Sequence, residues 1–301
     1  MPYTEINFTN VDEFWEYLDP RNPLKKNFPV DVCKNIMYRG QSDSEWTLIP
    51  SALRSKIRTS RRMKIKDYEN ALKEEFSVLK DFITHPSFEL PKGLPGIDKR
   101  KIFHDVNINT FFKYPENLLH WPIEPYDAFS AFVQHQKTKT SLLDWTSRSY
   151  VAIFFAAIGH LDVDPALKET KIIAVWIYLH HENTRIKIFE PLSTEQNIKA
   201  QFGKFSSVSQ EIDFSDEIRY ETLDSLLDKS RLFKITIDKN FSPNLLQYCK
   251  NHFIDYASMY PTNKDSITKA NEDEKKIIEI MKTNQKEYVF LDPTSDALDT
   301  I

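Results

Sequence analysis

The chain contains very little glycine. Five glycines occur in 301 residues, whereas average usage would place about 21 in a chain of this length. Loops that wrap a phosphate group in backbone amides need several closely spaced glycines, so neither a Rossmann GxGxxG fingerprint nor a P-loop can be assembled here. These two nucleotide-binding architectures are therefore excluded, and any bound nucleotide has to be held by a different fold.

Charge and cysteine content exclude further classes of protein. Forty basic and 44 acidic residues give a net charge of −4, which provides no bulk electrostatic basis for non-specific binding to nucleic acid. Cys33 and Cys249 are too few for a disulfide framework, and no metal site is expected. No apolar run approaches the ~20 residues of a membrane span, and the N-terminus lacks a signal-peptide pattern. The sequence predicts a cytoplasmic protein that does not enter a membrane.

Hydrophobic periodicity predicts helices interspersed with strands. Apolar positions at helical spacing predict helices at 9–19, 61–84, 129–135, 150–158, 245–253 and 271–282. Short β-branched and aromatic runs predict strands at 34–40, 172–179, 232–237 and 287–291. This order is typical of an α+β protein. In the absence of a Gly/Ser linker we expect one domain over 1–301, with the proline-interrupted stretch 86–126 as an insertion or lid.

The first candidate site is Tyr38-Arg39-Gly40-Gln41, at the end of a predicted strand. An arginine placed there can direct its guanidinium fork into a cleft, where a phosphate or ribose is a suitable partner. The alternative is a surface arginine or an ion-paired one.

The second candidate site joins Gln134-His135 to the run LLDWTS, which ends at Ser147. Asp144 lies near the start of a predicted helix, where amide dipoles stabilise a carboxylate. It is a catalytic candidate, a helix cap, or a partner for a buried arginine. Thr146 and Ser147 are N-cap candidates. His135 is either a general acid or base, or a hydrogen-bonded structural histidine.

Two late polar segments complete the candidates. Gln201-Phe202-Gly203 places one of the rare glycines beside a glutamine. Gln285 and Glu287 open the last predicted strand and would share a face, because strand side chains repeat every two residues. A carboxylate there can orient a ribose hydroxyl, whereas the alternative is an exposed, charged strand edge.

These motifs resemble the FRG domain family, which is named after its F/Y-R-G motif. The similarity covers about residues 5–260 and rests on YRGQ at 38–41, QH followed by LLDWT at 134–146, and QFGKFS at 201–206. The loop before LLDWT departs from the family pattern. Gln136-Lys137 replaces Tyr-Gly, Lys139 replaces Pro, and Ser141 replaces Arg. A substrate preference carried by this loop is therefore expected to differ.

A weaker resemblance connects the chain to ADP-ribosyltransferases of the Arg-Ser-Glu type. Arg39 corresponds to their strand-borne arginine, Thr146 and Ser147 to their S/T-x-S/T strand end, and Gln285-Lys286-Glu287 to their Q/E-x-E element. This resemblance implies a split mixed sheet with flanking helices, which holds NAD in a cleft without a glycine-rich loop.

The resemblance also implies roles for individual residues. Arg39 would bind the NAD pyrophosphate or the nicotinamide ribose, and Glu287 or Gln201 would contact the ribose 2′-hydroxyl. His135 or Asp144 would position the acceptor. The predicted catalytic set is Arg39, His135, Thr146, Gln201 and Glu287. The predicted NAD-binding set is Tyr38, Arg39, Gly40, Gln41, Asp144, Trp145 and Ser147, with Tyr38 or Trp145 stacking on the nicotinamide.

The expected function is that of an NAD-dependent ADP-ribosyltransferase toxin. Its acceptor is expected to be RNA rather than DNA or protein, and its partner an antitoxin protein in a toxin–antitoxin or phage-defence system. Two alternatives remain open. In one, the chain is a non-enzymatic FRG binding module in which Arg39 is paired with Asp144. In the other, it is a nuclease, with or without a metal ion, that uses His135 as general base.

Overall fold

A computed structural model gives the fold. The residues it describes are 3–21, 36–57, 61–85, 103, 105–136, 138–161, 170–181, 185–190, 196–211 and 217–290. The strands are β1 Thr4–Phe8, β2 Ile36–Gln41, β3 Arg62–Lys64, β4 Leu143–Thr146, β5 Ile172–Leu179, β6 Ile186–Phe189, β7 Gly203–Val208, β8 Glu217–Arg219 and β9 Leu232–Asp238. The helices are α1 Val11–Leu18, α2 Ile65–Thr84, α3 Ile108–Phe111, α4 Pro115–Leu119, α5 Tyr126–Gln134, α6 Ser149–Ile158, α7 Gln196–Ala200, α8 Leu223–Leu226, α9 Ser242–Asn251, α10 Tyr256–Met259 and α11 Ser266–Phe290.

Seven strands form one mixed sheet in the order β1-β9-β5-β2-β4-β7-β6, and β3 pairs with β8 separately. β1 lies parallel to β9, whereas the other neighbours are antiparallel. The interior strand β5, between β9 and β2, has only Ile172 exposed, as expected of a β-branched and aromatic run covered on both faces. The prediction of an α+β fold with a mixed sheet and flanking helices is confirmed, as are the strands at 172–179 and 232–237.

The first hydrophobic core lies between the sheet and helices α6 and α9. Helix α6 has apolar residues on every side and is buried almost throughout, because β2 covers one face and α9 another. In the described part of the chain, no helix is both long and apolar enough to cross a membrane.

The second core is aromatic and lies between α2 and α5. Its centre is Phe76, whose ring centroid is 5.9 Å from that of Trp121 and 5.4 Å from that of Tyr126. Phe112 and Leu118 are buried in the same cluster. The described part of the predicted lid, 103 and 105–126, is therefore built into this core, while 86–102 and 104 lie outside the described residues.

The predicted strand at 287–291 is wrong. Helix α11 runs from Ser266 to Phe290, and residue 291 lies outside the described residues. The run EYVF has strand-forming composition, but no glycine or proline separates it from the charged helix before it, and Pro293 is the first breaker that follows. Because extending an existing helix adds one hydrogen bond per residue without a new nucleation cost, the helix continues through this segment.

The sheet is weakest between β2 and β4. These two strands pair at one register position, Tyr38 with Thr146, whereas β2 pairs with β5 along its whole length. The candidate residues lie at this junction.

Candidate functional site

The motif residues of strand β2 lie in different surroundings. Tyr38 is 3% exposed and lies in the first core against α6. Gln41 is 2% exposed, and its Oε1 accepts a hydrogen bond of 2.7 Å from Trp176 Nε1. Gln41, which is predicted to bind NAD, is therefore buried and hydrogen-bonded to a residue of the neighbouring strand β5.

Gly40 is the point of closest approach between β2 and α6. A Cβ atom added to it would lie 1.9 Å from the carbonyl oxygen of Ala152 and 2.6 Å from the nitrogen of Ala156. Both are backbone atoms of the helix, so no other residue fits without moving α6. The glycine of the YRG motif therefore has a packing role, which places α6 directly behind Arg39.

Arg39 bridges the gap between the two weakly paired strands. Its Nη1 donates a hydrogen bond of 2.7 Å to the backbone oxygen of Asp144 and lies 2.7 Å from Asp144 Oδ1. If the ladder continued past Tyr38–Thr146, Gly40 would face Asp144, so the Arg39 side chain supplies a bond where the ladder stops. The Arg39 side chain is 9% exposed, and its Nε has no hydrogen-bond partner among the described residues.

The Asp144 carboxylate is the solvent-exposed member of this ion pair, with 59% of its side chain exposed. Its Oδ1 also accepts a hydrogen bond of 3.1 Å from Gln134 Nε2. Desolvation raises the pKa of Asp144, but the charge and hydrogen bond of Arg39, together with the nearby His135, lower it more. The net pKa lies below the ordinary aspartate value, so the carboxylate is ionised at neutral pH.

Thr146 and Ser147 tie strand β4 to the turn before β7. Thr146 Oγ1 donates to the backbone oxygen of Gln201 at 2.7 Å and accepts from Arg148 N at 3.1 Å. Ser147 N donates to the backbone oxygen of Phe202 at 3.2 Å. The prediction that Thr146 or Ser147 is the N-cap is wrong. Arg148 occupies that position, because the β4 ladder extends as far as Thr146.

The turn between α7 and β7 holds Gln201 against the site. Gln201 Nε2 donates to the backbone oxygen of Met259 at 3.0 Å, which connects this turn to α10. The next residue, Phe202, has φ of 51°, in the left-handed region that is unfavourable for a bulky side chain. Such strain is retained where surrounding contacts fix the backbone, and the Arg148 guanidinium lies 4.5 Å from the centroid of the Phe202 ring.

A cavity of about 500 Å³ opens above these residues, within the size range of ligand sites. Its lining comes from α5 and the residues after it, from β4, from α6, from α7, and from α10 with the loop that follows. The lining residues are Gln134, His135, Gln136, Asp144, Phe155, Asn197, Gln201, Tyr256, Tyr260, Thr262 and Asn263.

A smaller space of about 30 Å³ at the β2–β4 junction shares four residues with this cavity, namely His135, Asp144, Phe155 and Gln201. Most of the predicted site residues meet there. Those that line it are Tyr38, Arg39, Gly40, His135, Asp144, Trp145, Thr146 and Gln201. Three sequence blocks that lie far apart in the chain therefore converge on one place. Gln41 and Ser147 are not part of this lining.

Trp145 belongs mainly to the interior. Its Nε1 donates to Ser206 Oγ at 2.8 Å, and the residue is 3% exposed. The rings that line the larger cavity are instead Phe155, Tyr256 and Tyr260. The ring stacking expected of Tyr38 or Trp145 therefore has better candidates in residues that the motifs did not indicate.

Glu287 lies far along helix α11. Asn263 lines the cavity, and α11 begins at Ser266. At 1.5 Å per residue, position 287 is about 30 Å further along the helix axis. The acidic residue that lines the cavity is Asp144, so the strand geometry on which the Glu287 prediction depended is absent.

Sequence reasoning missed the α10 wall. Asp255 and Ser258 form a capping box around this helix, and the ring centroids of Tyr256 and Tyr260 are 4.6 Å apart. Burial, the neighbouring Tyr256 and the Asp144 charge together raise the pKa of Tyr260 to about 12. A cap residue followed by two tyrosines at helical spacing is the local signal, but only the tertiary fold places them opposite Asp144.

Among the described residues, no group of three or more His, Cys, Asp or Glu side chains is placed to hold a metal ion. Comparison with known families matches residues 34–164 to the FRG domain. That range contains YRGQ and LLDWT and ends before Gln201, so the resemblance derived from these two motifs is confirmed. No curated protein and no solved structure matches the chain.

Proposed function

We propose that the chain, whose residues 34–164 match the FRG domain, transfers ADP-ribose from NAD to a macromolecule, with RNA favoured over DNA or protein. The supporting observation is that Asp144, His135 and Gln201 line a cavity of about 500 Å³ and also the adjoining smaller space that Arg39 lines. In this proposal the protein is a toxin that is kept in check by an antitoxin protein.

The reaction needs a negative charge beside the ribose. The bond between C1″ of the ribose and the nicotinamide nitrogen breaks, and neutral nicotinamide leaves with the bonding electron pair. The acceptor then forms a bond to C1″ and loses a proton. A fixed carboxylate stabilises the positive charge that develops on the ribose. Asp144 lines the cavity and is ionised at neutral pH, so this role passes from Glu287 to Asp144.

Arg39 and His135 have separate roles in this proposal. Arg39 lines the smaller space beside the cavity, and its buried Nε has no partner among the described residues, so in this proposal it donates to a ribose or pyrophosphate oxygen of NAD that enters this space. His135 lines both the cavity and the space below it. Its imidazole is suited to receive the proton that the acceptor loses. Gln201 borders the same space and would contact a ribose hydroxyl.

The sheet supports the resemblance to ADP-ribosyltransferases. The single pairing position between β2 and β4 leaves an opening beside Arg39, in keeping with a split sheet. The site is built from side chains on strands and helices, which suits a chain with five glycines.

The test is an assay with labelled NAD and total RNA, DNA and protein as separate acceptors. We expect label in one pool, with RNA first, and a loss of about 100-fold or more in Arg39→Gln and Asp144→Asn. Arg62→Gln and Asp81→Asn are the matched controls, since both residues are exposed and lie outside the cavity lining. If the wild-type chain releases no nicotinamide and labels no pool, the proposal is rejected.

A second candidate, a non-enzymatic binding module, is favoured by the Arg39–Asp144 contact of 2.7 Å. In that case the pair is structural, and Arg39→Gln lowers stability in a protein that never releases nicotinamide. A nuclease would appear in the same experiment as RNA that is shortened without NAD.

A further inference from the structure

Apart from Asp144 and His135, the residues that line the cavity are uncharged, and this part of the lining is its outer wall. The outer wall consists of side-chain amides, the Thr262 hydroxyl, tyrosine rings and a phenylalanine ring, and among all the residues that line the cavity none is lysine or arginine. The amides belong to Gln134, Gln136, Asn197, Gln201 and Asn263. A phosphate group is usually held by arginine, lysine or a helix N-terminus. This wall therefore suits an uncharged ligand rather than a phosphate.

Four of these amides are held by hydrogen bonds. Asn197 Oδ1 accepts a hydrogen bond from Thr262 N at 3.3 Å, and Asn263 Oδ1 accepts one from Asp265 N at 3.0 Å, so both are held through oxygen. Gln201 is held through nitrogen, because its Nε2 donates to the backbone oxygen of Met259, and Gln134 is held at both ends by Asp144 and Thr140. An amide held through one atom can present its other atom to a ligand. Asparagine and glutamine read the edges of bases because an amide carries a donor and an acceptor side by side. A wall of oriented amides therefore matches a planar heterocycle with both donors and acceptors on its edge.

The aromatic residues of the wall provide faces for such a ring. The centroid of Tyr260 lies 4.6 Å from that of Tyr256 and 6.3 Å from that of Phe155, which approaches it edge-on. Unstacked bases commonly bind to aromatic side chains in this manner. Asp144 and Tyr260 line the same cavity, so a base stacked on this tyrosine would share that cavity with the carboxylate.

We propose that this wall binds an uncharged nucleobase and presents it as the acceptor of ADP-ribose, either in a free nucleoside or in single-stranded nucleic acid. This inference rests on the proposed function. A nitrogen on the base edge forms the bond to C1″ as nicotinamide leaves with its electron pair, and the proton from that nitrogen passes to His135.

Binding can be tested without NAD. Calorimetry with adenosine, guanosine, cytidine and uridine, and with single-stranded RNA and DNA oligonucleotides, compares the wild-type chain with Tyr260→Ala. We expect at least one nucleoside to bind, and Tyr260→Ala to weaken it by about tenfold, the loss typical of one stacking ring. Tyr260→Phe keeps the ring and should largely retain binding. Tyr114→Ala is the control, because Tyr114 is 61% exposed and lies outside the cavity lining.

The arms of the experiment separate the two proposals. The nucleobase site is overturned if the folded wild-type chain binds no nucleoside or oligonucleotide, if Tyr260→Ala binds as tightly as wild type, or if inorganic phosphate competes fully. Nucleoside binding without nicotinamide release retains the site and rejects the transferase. Nicotinamide release with label only on protein retains the transferase and rejects the nucleobase as acceptor. If the oligonucleotides bind and the nucleosides do not, the ligand is a base within single-stranded nucleic acid rather than a free nucleoside.

Discussion

At Gly40, helix α6 lies directly on strand β2, and this contact can be tested by adding one methyl group. In Gly40→Ala the new Cβ would meet two backbone atoms of α6 at 1.9 and 2.6 Å, which the helix cannot avoid without shifting. We expect a loss of about 3 kcal/mol or more in the free energy of unfolding, measured by urea denaturation. Gly203→Ala is the matched control, because its new Cβ would lie 3.2 Å from Ile198 Cγ2 and 3.3 Å from the backbone oxygen of Ile198, which is tight contact without the overlap at Gly40, so a smaller loss is expected. Equal stability of the two variants would contradict this packing role.

Glu75 should make stability dependent on pH. Burial raises the pKa of this carboxyl to about 7, although hydrogen bonds from Ser141 and Ser130 partly oppose the shift. Between the ordinary value of 4.5 and about 7, the unfolded chain has lost this proton while the folded chain keeps it. Stability therefore falls as pH rises through this window, by about 3 kcal/mol in total.

Urea denaturation from pH 4 to 8 measures this effect. In Glu75→Gln the contribution of this group to the pH slope should vanish. In Glu74→Gln, the adjacent residue with a 68% exposed side chain, the slope should match that of the wild type. An unchanged slope in Glu75→Gln would show that another group titrates.

At the scale of single elements, the end of α11 provides a direct test of the site. Because position 287 is about 30 Å along the helix from Ser266, we expect Glu287→Gln to transfer ADP-ribose at the wild-type rate. Asp144→Asn, assayed beside it, should be inactive. A loss of transfer in Glu287→Gln with normal nicotinamide binding would return the catalytic carboxylate to this residue.

The elements that sequence patterns predicted are those that bury a continuous apolar face. Helix α1 begins after Asn10, whose Oδ1 accepts from the backbone nitrogens of Asp12 and Glu13, as the capping signal indicates. The strands that were missed are β1, β3, β4, β6, β7 and β8, because these strands are three to six residues long and depend on partners distant in sequence, and β1 and β6 are also edges of the sheet. The segment 61–84 was predicted as one helix, but 62–64 form β3 because they pair with β8.

At the scale of the molecule, the FRG segment does not contain its own sheet. Residues 34–164 include β2 and β4, but the partner of β2 along its whole length is β5, and the other partner of β4 is β7. We therefore expect the isolated segment 34–164 to lack cooperative unfolding by circular dichroism, whereas the full chain unfolds in one transition. A well-dispersed NMR spectrum from the segment alone would contradict this.

The fold of the whole molecule determines how much of the site could be predicted from the sequence. Arg39, His135, Asp144 and Gln201 belong to motifs, and their convergence follows from pairing among β2, β4 and β7. Tyr256, Tyr260 and Asn197 lie on short helices without a motif. They reach the cavity only because Gln201 Nε2 binds the backbone oxygen of Met259 and Asn197 Oδ1 binds Thr262 N, which no local pattern predicts.

The contact between Arg39 and Asp144 also determines which anions the site admits. The guanidinium already holds an internal carboxylate at 2.7 Å, so an incoming anion competes with a tethered one that is always present. For a ligand that needs the guanidinium released, the apparent affinity is multiplied by the fraction of time that Arg39 is not bound to Asp144. Chloride or free phosphate, which makes few other contacts, loses this competition. A ligand large enough to fill the cavity gains further contacts that offset the exchange, so the ion pair selects by size as well as by charge.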